Sequence, residues 1–138
     1  MIGQPLSPDR LTLYGSFTSS SSYKPMLYLA LARVPFSFRT VNLKIGVQKE
    51  AEYLAVNRWG VVPSLKHKGL TILQSNVILD YLARETGIFE GKTEAAKWDA
   101  RAWLSWEADH ITAVARVRHS ARFRKMHDEV IAEFRPRA

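Results

Sequence analysis

The stretch VVPSLKHKGLTIL, Val61 to Leu73, holds two short apolar runs on either side of Lys68-Gly69. Val61-Val62-Pro63-Ser64-Leu65 begins a strand, Gly69 turns the chain, and Leu70 to Leu73 returns beside it, with Lys66-His67-Lys68 as the polar end of the hairpin. Immediately downstream, Ser75 or Asn76 can cap a helix in which Val77, Ile78, Tyr81 and Leu82 share one face. Glu85-Thr86-Gly87 closes that helix, with glycine where a left-handed residue is wanted. Upstream, Leu11, Leu13 and Gly15 alternate with Thr12 and Tyr14 as a short strand. The polar tract Thr18 to Ser22 suits a loop and a helix N-cap. Leu27, Ala30, Leu31 and Val34 then predict a helix over 23–34, with Pro25 tolerated in its first turn and Pro35 stopping it. Phe36 and Phe38, followed by Val41 and Leu43, form a second strand with a change of phase near Arg39. Between that strand and the hairpin, residues 44–60 fit a short, partly exposed helix or an ordered loop.

The order is βαβ, a variable link, then ββα. A βαβ unit requires a parallel strand pair with its helix on one face, and the hairpin adds an antiparallel pair. The expectation is an α/β, thioredoxin-like domain over residues 1–87, with a four-stranded mixed sheet covered by helices. After a linker at Gly87 to Thr93, residues 94–118 read as one long helix with two apolar stripes, one through Trp98, Ala102 and Trp106, the other through Trp103, Ile111 and Val114. Trp98, Trp103 and Trp106 are read as helix packing. Phe123, Met126, Val130, Ile131 and Phe134 then recur at helical spacing. Residues 94–138 are therefore expected to be the first two helices of an incomplete all-helical domain.

A chain of 138 residues buries about 68% of its unfolded surface, enough for a core. With no cysteine, the chain has no disulfide scaffold, thiolate metal site or cysteine nucleophile. No run of 18 apolar residues is present, and Met1 to Arg10 lacks the pattern of a signal peptide, so a cytoplasmic protein without a membrane partner is expected. Lys and Arg number 20 against 13 Asp and Glu, and the excess is spread over both halves. Its densest run, Arg116 to Lys125, reads as a solvated helix face, and no nucleic-acid motif accompanies it. His67, His110, His119 and His127 lack metal-ligand spacing, so no metal is expected.

The segment Leu13 to Ser22, the run Asn57-Arg58-Trp59-Gly60-Val61-Val62-Pro63-Ser64-Leu65 and the pair Gln74-Ser75 together resemble a cytosolic glutathione transferase. Serine-type enzymes are most similar, particularly the zeta class, whose Ser-Ser-Cys-Ser loop corresponds to Ser19 to Ser22. The resemblance runs through the thioredoxin-like domain and the first two helices of the helical domain, and full-length members continue further. Arg58 departs from the proline that usually follows the asparagine.

The resemblance implies glutathione as co-substrate, and the chemistry accounts for the residue types. A free thiol has a pKa of about 8.5, so lowering it by about 2 units, roughly 2.7 kcal/mol of differential stabilisation, makes thiolate the majority form at pH 7. A hydroxyl donor at a helix start supplies a charge-assisted hydrogen bond beside the positive end of the helix dipole. Ser19 is placed in that role, with Ser20, Ser21 and Tyr14 as alternatives. Pro63 is similar to the family's cis-proline, which turns the main chain of Val62 outward to pair with the ligand backbone as an added strand does. Ser75 and Gln74 are placed at the γ-glutamyl carboxylate, and Gln48 at the glycyl end.

Two function classes follow. One is an enzyme that conjugates glutathione to a small hydrophobic electrophile, or a zeta-like glutathione-dependent cis–trans isomerase. The other is a truncated, non-catalytic module that binds glutathione or a protein partner. Family members pair through these first helices, which implies a homodimer through residues 94–134 and gives the second apolar stripe a partner.

Overall fold

The computed structural model describes residues 9–123, with the order β1 (Thr12–Gly15), α1 (Ser20–Leu31), β2 (Ser37–Thr40), α2 (Ala51–Leu54), β3 (Ser64–His67), β4 (Leu70–Leu73), α3 (Ser75–Thr86) and α4 (Glu94–Phe123). A 3-10 turn, Val47–Lys49, precedes α2. The chain divides into two compact units, Met1–Glu90 and Gly91–Ala138. No helix among the described residues is long and apolar enough to cross a membrane.

The four strands form one mixed sheet in the order β2-β1-β3-β4. β1 pairs with β2 in parallel, Leu13 opposite Phe38, and with β3 antiparallel, Leu13 opposite Leu65. β3 and β4 pair antiparallel from Ser64 opposite Leu73 to His67 opposite Leu70. This is the expected thioredoxin-like α/β sheet.

Strand alternation sends side chains to two cores. Leu11, Leu13 and Leu65 join Tyr28 and Leu29 of α1 and Ile78, Leu82 and Ala83 of α3 on one face. Tyr14 and Val41 join Tyr53 of α2 on the other, with Leu43, Val47, Val56 and Val62 packed against them. The phase change near Arg39 has its explanation here: Phe36 and Phe38 pack on the first core, whereas Val41 and Leu43 serve the second.

Several boundaries differ from the sequence reading; strand β2, read as far as Leu43, ends at Thr40. Helix α1 starts at Ser20 rather than near residue 23, which places Pro25 in the second turn, inside the helix. The early start is held by hydroxyls: Ser19 Oγ accepts from Ser22 N–H at 3.2 Å, and the buried Ser22 Oγ accepts from Ser16 N–H at 3.1 Å. The same helix ends at Leu31, short of Val34, because Arg33 takes a left-handed φ of 54°. Arg33 N–H then bonds Ala30 O and Val34 N–H bonds Leu29 O, a Schellman closure with arginine where glycine is usual. Strand β3 starts at Ser64, not Val61, because Pro63 has no N–H to pair. Helix α4 runs past Arg118 to Phe123 without a break, since no glycine or proline interrupts residues 94–123. The predicted second helix lies almost wholly outside the described residues.

Trp98, Trp103 and Trp106, expected to be packed, are 65%, 63% and 47% exposed. Trp103 meets Trp106 edge-on at 5.7 Å, and Trp106 stacks on His110 at 4.4 Å.

Between β3 and β4 the hairpin turns on Lys68 (φ 49°) and Gly69 (φ 75°), both left-handed, as a two-residue connection requires. Beside it, Lys68 Nζ lies 2.6 Å from Glu85 Oε2 of α3. This hydrogen bond holds the Glu85 carboxyl below its ordinary 4.5, with desolvation opposing it and the charge of Lys68 adding to it. A depressed carboxyl contributes stability above its unfolded pKa and loses it as pH falls through the folded one. Side-chain carboxyl NMR is expected to place the Glu85 midpoint below 4.5, and to return it upward in Lys68→Met. Because the pair is solvent-facing, the unfolding midpoint should not move measurably.

Candidate functional site

Strand directions bring the predicted site segments to one end of the sheet. Gly15 closes β1 there, Ser64 opens β3, and Leu73 closes β4, with Tyr14 opposite Ser64 and Ser64 opposite Leu73. Three segments leave from that end: the loop 16–19 into α1, the Val62–Pro63 pair, and Gln74 into α3. A 2.7 Å hydrogen bond from Lys24 Nζ to Asn76 Oδ1 ties the early turns of the two helices together.

The serine loop folds on itself. Ser16 Oγ lies 3.1 Å from Thr18 Oγ1, and Ser19 N–H donates to Ser16 O at 3.1 Å. Of the four consecutive serines, Ser22 is buried with its hydroxyl engaged, Ser20 is exposed and Ser21 half-buried. Ser19 is half-buried at the N-cap, and its oxygen serves as cap acceptor. Among the described residues its O–H proton has no acceptor, so one hydroxyl can cap the helix and still donate outward. Tyr14, the remaining alternative, is 1% exposed in the second core. Burial pushes its phenol above the ordinary value, with Arg39 opposing and Glu52 adding to the shift. It presents almost no surface to a ligand.

Helix α3 is entered differently from the sequence reading. Neither Ser75 nor Asn76 is the cap: Gln74 takes the N-cap position at φ 71°, and no side chain caps the helix. Ser75, the first helical residue, therefore keeps its hydroxyl out of a cap, and the dipole's positive end is not neutralised by a capping side chain.

The Val62–Pro63 pair rests on a buried network that sequence reasoning did not assign. Asn57, 0% exposed, donates through Nδ2 to Val61 O at 2.7 Å and to Ser64 Oγ at 3.1 Å, while its Oδ1 accepts from Trp59 N–H at 3.1 Å. Tyr53 OH donates to Val61 O at 2.9 Å and lies 2.9 Å from Ser64 Oγ. Burial raises the Tyr53 pKa, with hydrogen bonding to Ser64 and Asn57 opposing, so it remains a protonated donor through the neutral range. The turn at 57–60 therefore forms without the family's proline; Arg58 sits over the Trp59 ring, 4.7 Å from its centroid.

Gln48 lies in the 3-10 turn, with Oε1 buried and without a hydrogen-bond partner among the described residues. Its main chain abuts the same turn: a Cβ built on Gly60 (φ +59°) would lie 2.7 Å from Gln48 O. Gly60→Ala is expected to destabilise the chain by about 2–3 kcal/mol, from left-handed strain plus the clash. Gly46→Ala, at φ +83° but with nothing within 4 Å, carries the strain alone and should cost about 1 kcal/mol. Urea unfolding of both variants separates the two terms; equal losses would remove the close approach as a cause. Among the described residues, no three His, Asp or Glu side chains are grouped to hold a metal.

The family profile described as glutathione S-transferase, N-terminal domain, matches residues 9–84. The glutathione S-transferase GstB of Escherichia coli (strain K12) is 29% identical over 100 residues, covering 70% of this chain and 48% of that protein. The maleylacetoacetate isomerase maiA of Aspergillus fumigatus is 37% identical over 82 residues, covering 56% of this chain and 36% of that protein. The crystal structure of poplar glutathione transferase F1 superposes with a TM-score of 0.81 at 23% identity, covering 90% of this chain and 61% of that one. The chain thus spans about half or less of the length of these two sequence relatives.

Proposed function

The chain belongs to the family of the glutathione S-transferase N-terminal domain, and from that premise we propose that it binds glutathione at the end of the sheet where Ser19, Val62–Pro63 and Gln74–Ser75 meet. There Ser19 lowers the pKa of the thiol for conjugation to a small hydrophobic electrophile or for glutathione-dependent isomerisation. The observation that carries this reading is the convergence of three unused polar features. They are the hydroxyl of the N-cap Ser19, whose proton has no acceptor among the described residues, the main chain of Val62 beside its cis-proline, and the α3 N-terminus without a side-chain cap.

Each feature has a complementary group on the tripeptide. The thiolate accepts from Ser19 O–H. The cysteinyl backbone pairs with Val62 as an added strand, and among the described residues the N–H and C=O of Val62 take no hydrogen bond. The γ-glutamyl carboxylate sits at the first amides of α3, with Ser75 and Gln74 beside it. Gln48 reaches toward the glycyl end. Residues 1–87 are the glutathione-binding domain, and 94–138 begin the helical domain. Similarity to the maleylacetoacetate isomerase supports the zeta-like, serine-type reading and its isomerisation arm. The chain pairs with a second copy through α4, where Trp98, Trp103, Trp106, Ile111 and Val114 would otherwise stay wet.

Calorimetric titration of the chain with glutathione tests the reading. Binding in the micromolar to millimolar range is expected, and a folded chain that binds none overturns it. Binding without turnover of electrophiles or a maleyl-type cis substrate moves the protein to the second class, a module that holds glutathione or a protein partner.

A further inference from the structure

The protons of the buried network can be assigned. Tyr53 has one O–H, and it donates to Val61 O. Its contact with Ser64 Oγ therefore runs the other way, Ser64 O–H donating to the phenol oxygen. Asn57 supplies two further N–H donors, one to Val61 O and one to Ser64 Oγ. The Val61 carbonyl thus receives two hydrogen bonds from the interior, one from each of two buried side chains.

That carbonyl shares a peptide plane with the N–H of Val62. The Val61–Val62 bond is trans, the cis bond falling one residue later, and in a trans peptide C=O and N–H point in opposite directions. Fastening the carbonyl toward Tyr53 and Asn57 aims the Val62 N–H away from them. The far side of the pair is fixed as well, since Ser64 is held by the same two side chains.

We infer that the Tyr53 hydroxyl is a positioning residue for ligand recognition: by holding the Val61 carbonyl inward it presents the Val62 N–H to an acceptor on the ligand main chain. The inference rests on the glutathione reading above and assigns the orientation of its backbone subsite to a side chain eight residues upstream that touches no ligand. Asn57 alone cannot do the same work. With the phenol gone, a single donor remains on the carbonyl and the plane is free to rock about it. Ser64 O–H also loses its acceptor.

The test is Tyr53→Phe in the full chain, read by calorimetry with glutathione and by steady-state kinetics. The glutathione Kd and KM are expected to rise about five- to tenfold, with kcat at saturating glutathione within about twofold, because thiol activation at Ser19 is untouched. Ser64→Ala, which leaves both donors on the Val61 carbonyl, should keep Kd within about twofold. Equal binding by wild type and Tyr53→Phe overturns the inference while the glutathione reading stands, as does a loss in Ser64→Ala matching that in Tyr53→Phe. A folded wild type that binds no glutathione overturns the reading itself. Amide exchange in the wild type needs no variant to fold. The Val62 N–H should exchange fast in the free chain and become protected when glutathione binds, and protection in the free chain would contradict the orientation.

Discussion

Ser19→Ala is expected to lower glutathione-dependent turnover by well over tenfold while leaving glutathione affinity within a few-fold. A factor of ten is about 1.4 kcal/mol of transition-state stabilisation, less than the roughly 2.7 kcal/mol that a 2-unit thiol shift represents. Affinity is expected to change little because, in the proposed site, other groups hold the carboxylate and backbone of the tripeptide. The substitution also removes the α1 cap, at a cost of about 1 kcal/mol in stability. Ser19→Asp separates the two roles. A carboxylate caps as well as a hydroxyl does and suits the helix dipole, so stability should be kept or raised. It offers no proton at neutral pH and repels a thiolate, so turnover should still be lost. Ultraviolet absorbance of the bound thiolate supplies a readout independent of the electrophile. Its midpoint should move up toward about 8.5 in Ser19→Ala. An unshifted midpoint would transfer the role to Ser20 or Ser21.

The largest loss of stability from a single side chain is expected at Asn57. It is fully buried and makes three side-chain hydrogen bonds, to Val61 O, Ser64 Oγ and Trp59 N–H. Alanine leaves the Trp59 N–H without its acceptor and reduces the donors at both flanks of the cis-proline. The expected cost is about 3–4 kcal/mol, measured by urea or thermal unfolding. Asn57→Asp tests whether polarity or shape matters. Near neutral pH it puts a carboxylate where two donors are required and should be at least as damaging. Burial raises that carboxyl's folded pKa above the unfolded value. Stability relative to neutral pH is then regained below the unfolded pKa, about 3.9, and lost again as pH rises through the folded one. An Asn57→Asp chain as stable as wild type at pH 7 would show that the network contributes nothing.

What the sequence discloses and what it hides divide along physical lines. Period-two runs at Leu11–Gly15 and Val61–Leu73, together with Gly69 and Gly87, carry local signals strong enough to give the topology. The start of α1 was misplaced because serine is a weak helix former. Ser20 to Ser22 are helical only because hydroxyls of Ser19 and Ser22 satisfy the backbone around them. Its end was misplaced because the left-handed position holds Arg33, which carries no such signal. At α3, Gln74 adopts a positive φ that its residue type does not advertise. The candidate site residues Ser19, Pro63 and Gln74–Ser75 came from the family resemblance rather than from local pattern, and each sits at the boundary of a regular element. The Tyr53–Asn57–Ser64 network was not legible. It closes across 11 residues through side chains that, read locally, are an amphipathic aromatic, a turn asparagine and a strand serine.

The Lys68–Gly69 turn lies at the opposite end of β3 from the Val62–Pro63 pair, about 17 Å away at the rise of an extended strand. A Cβ at Gly69 would meet nothing within 4 Å. This makes the hairpin tip a natural anchoring point for immobilisation on a sensor chip, or for inserting a short affinity peptide. A chain tethered there faces the end proposed to bind glutathione into the bulk, and the attachment strains none of the segments that meet at that end.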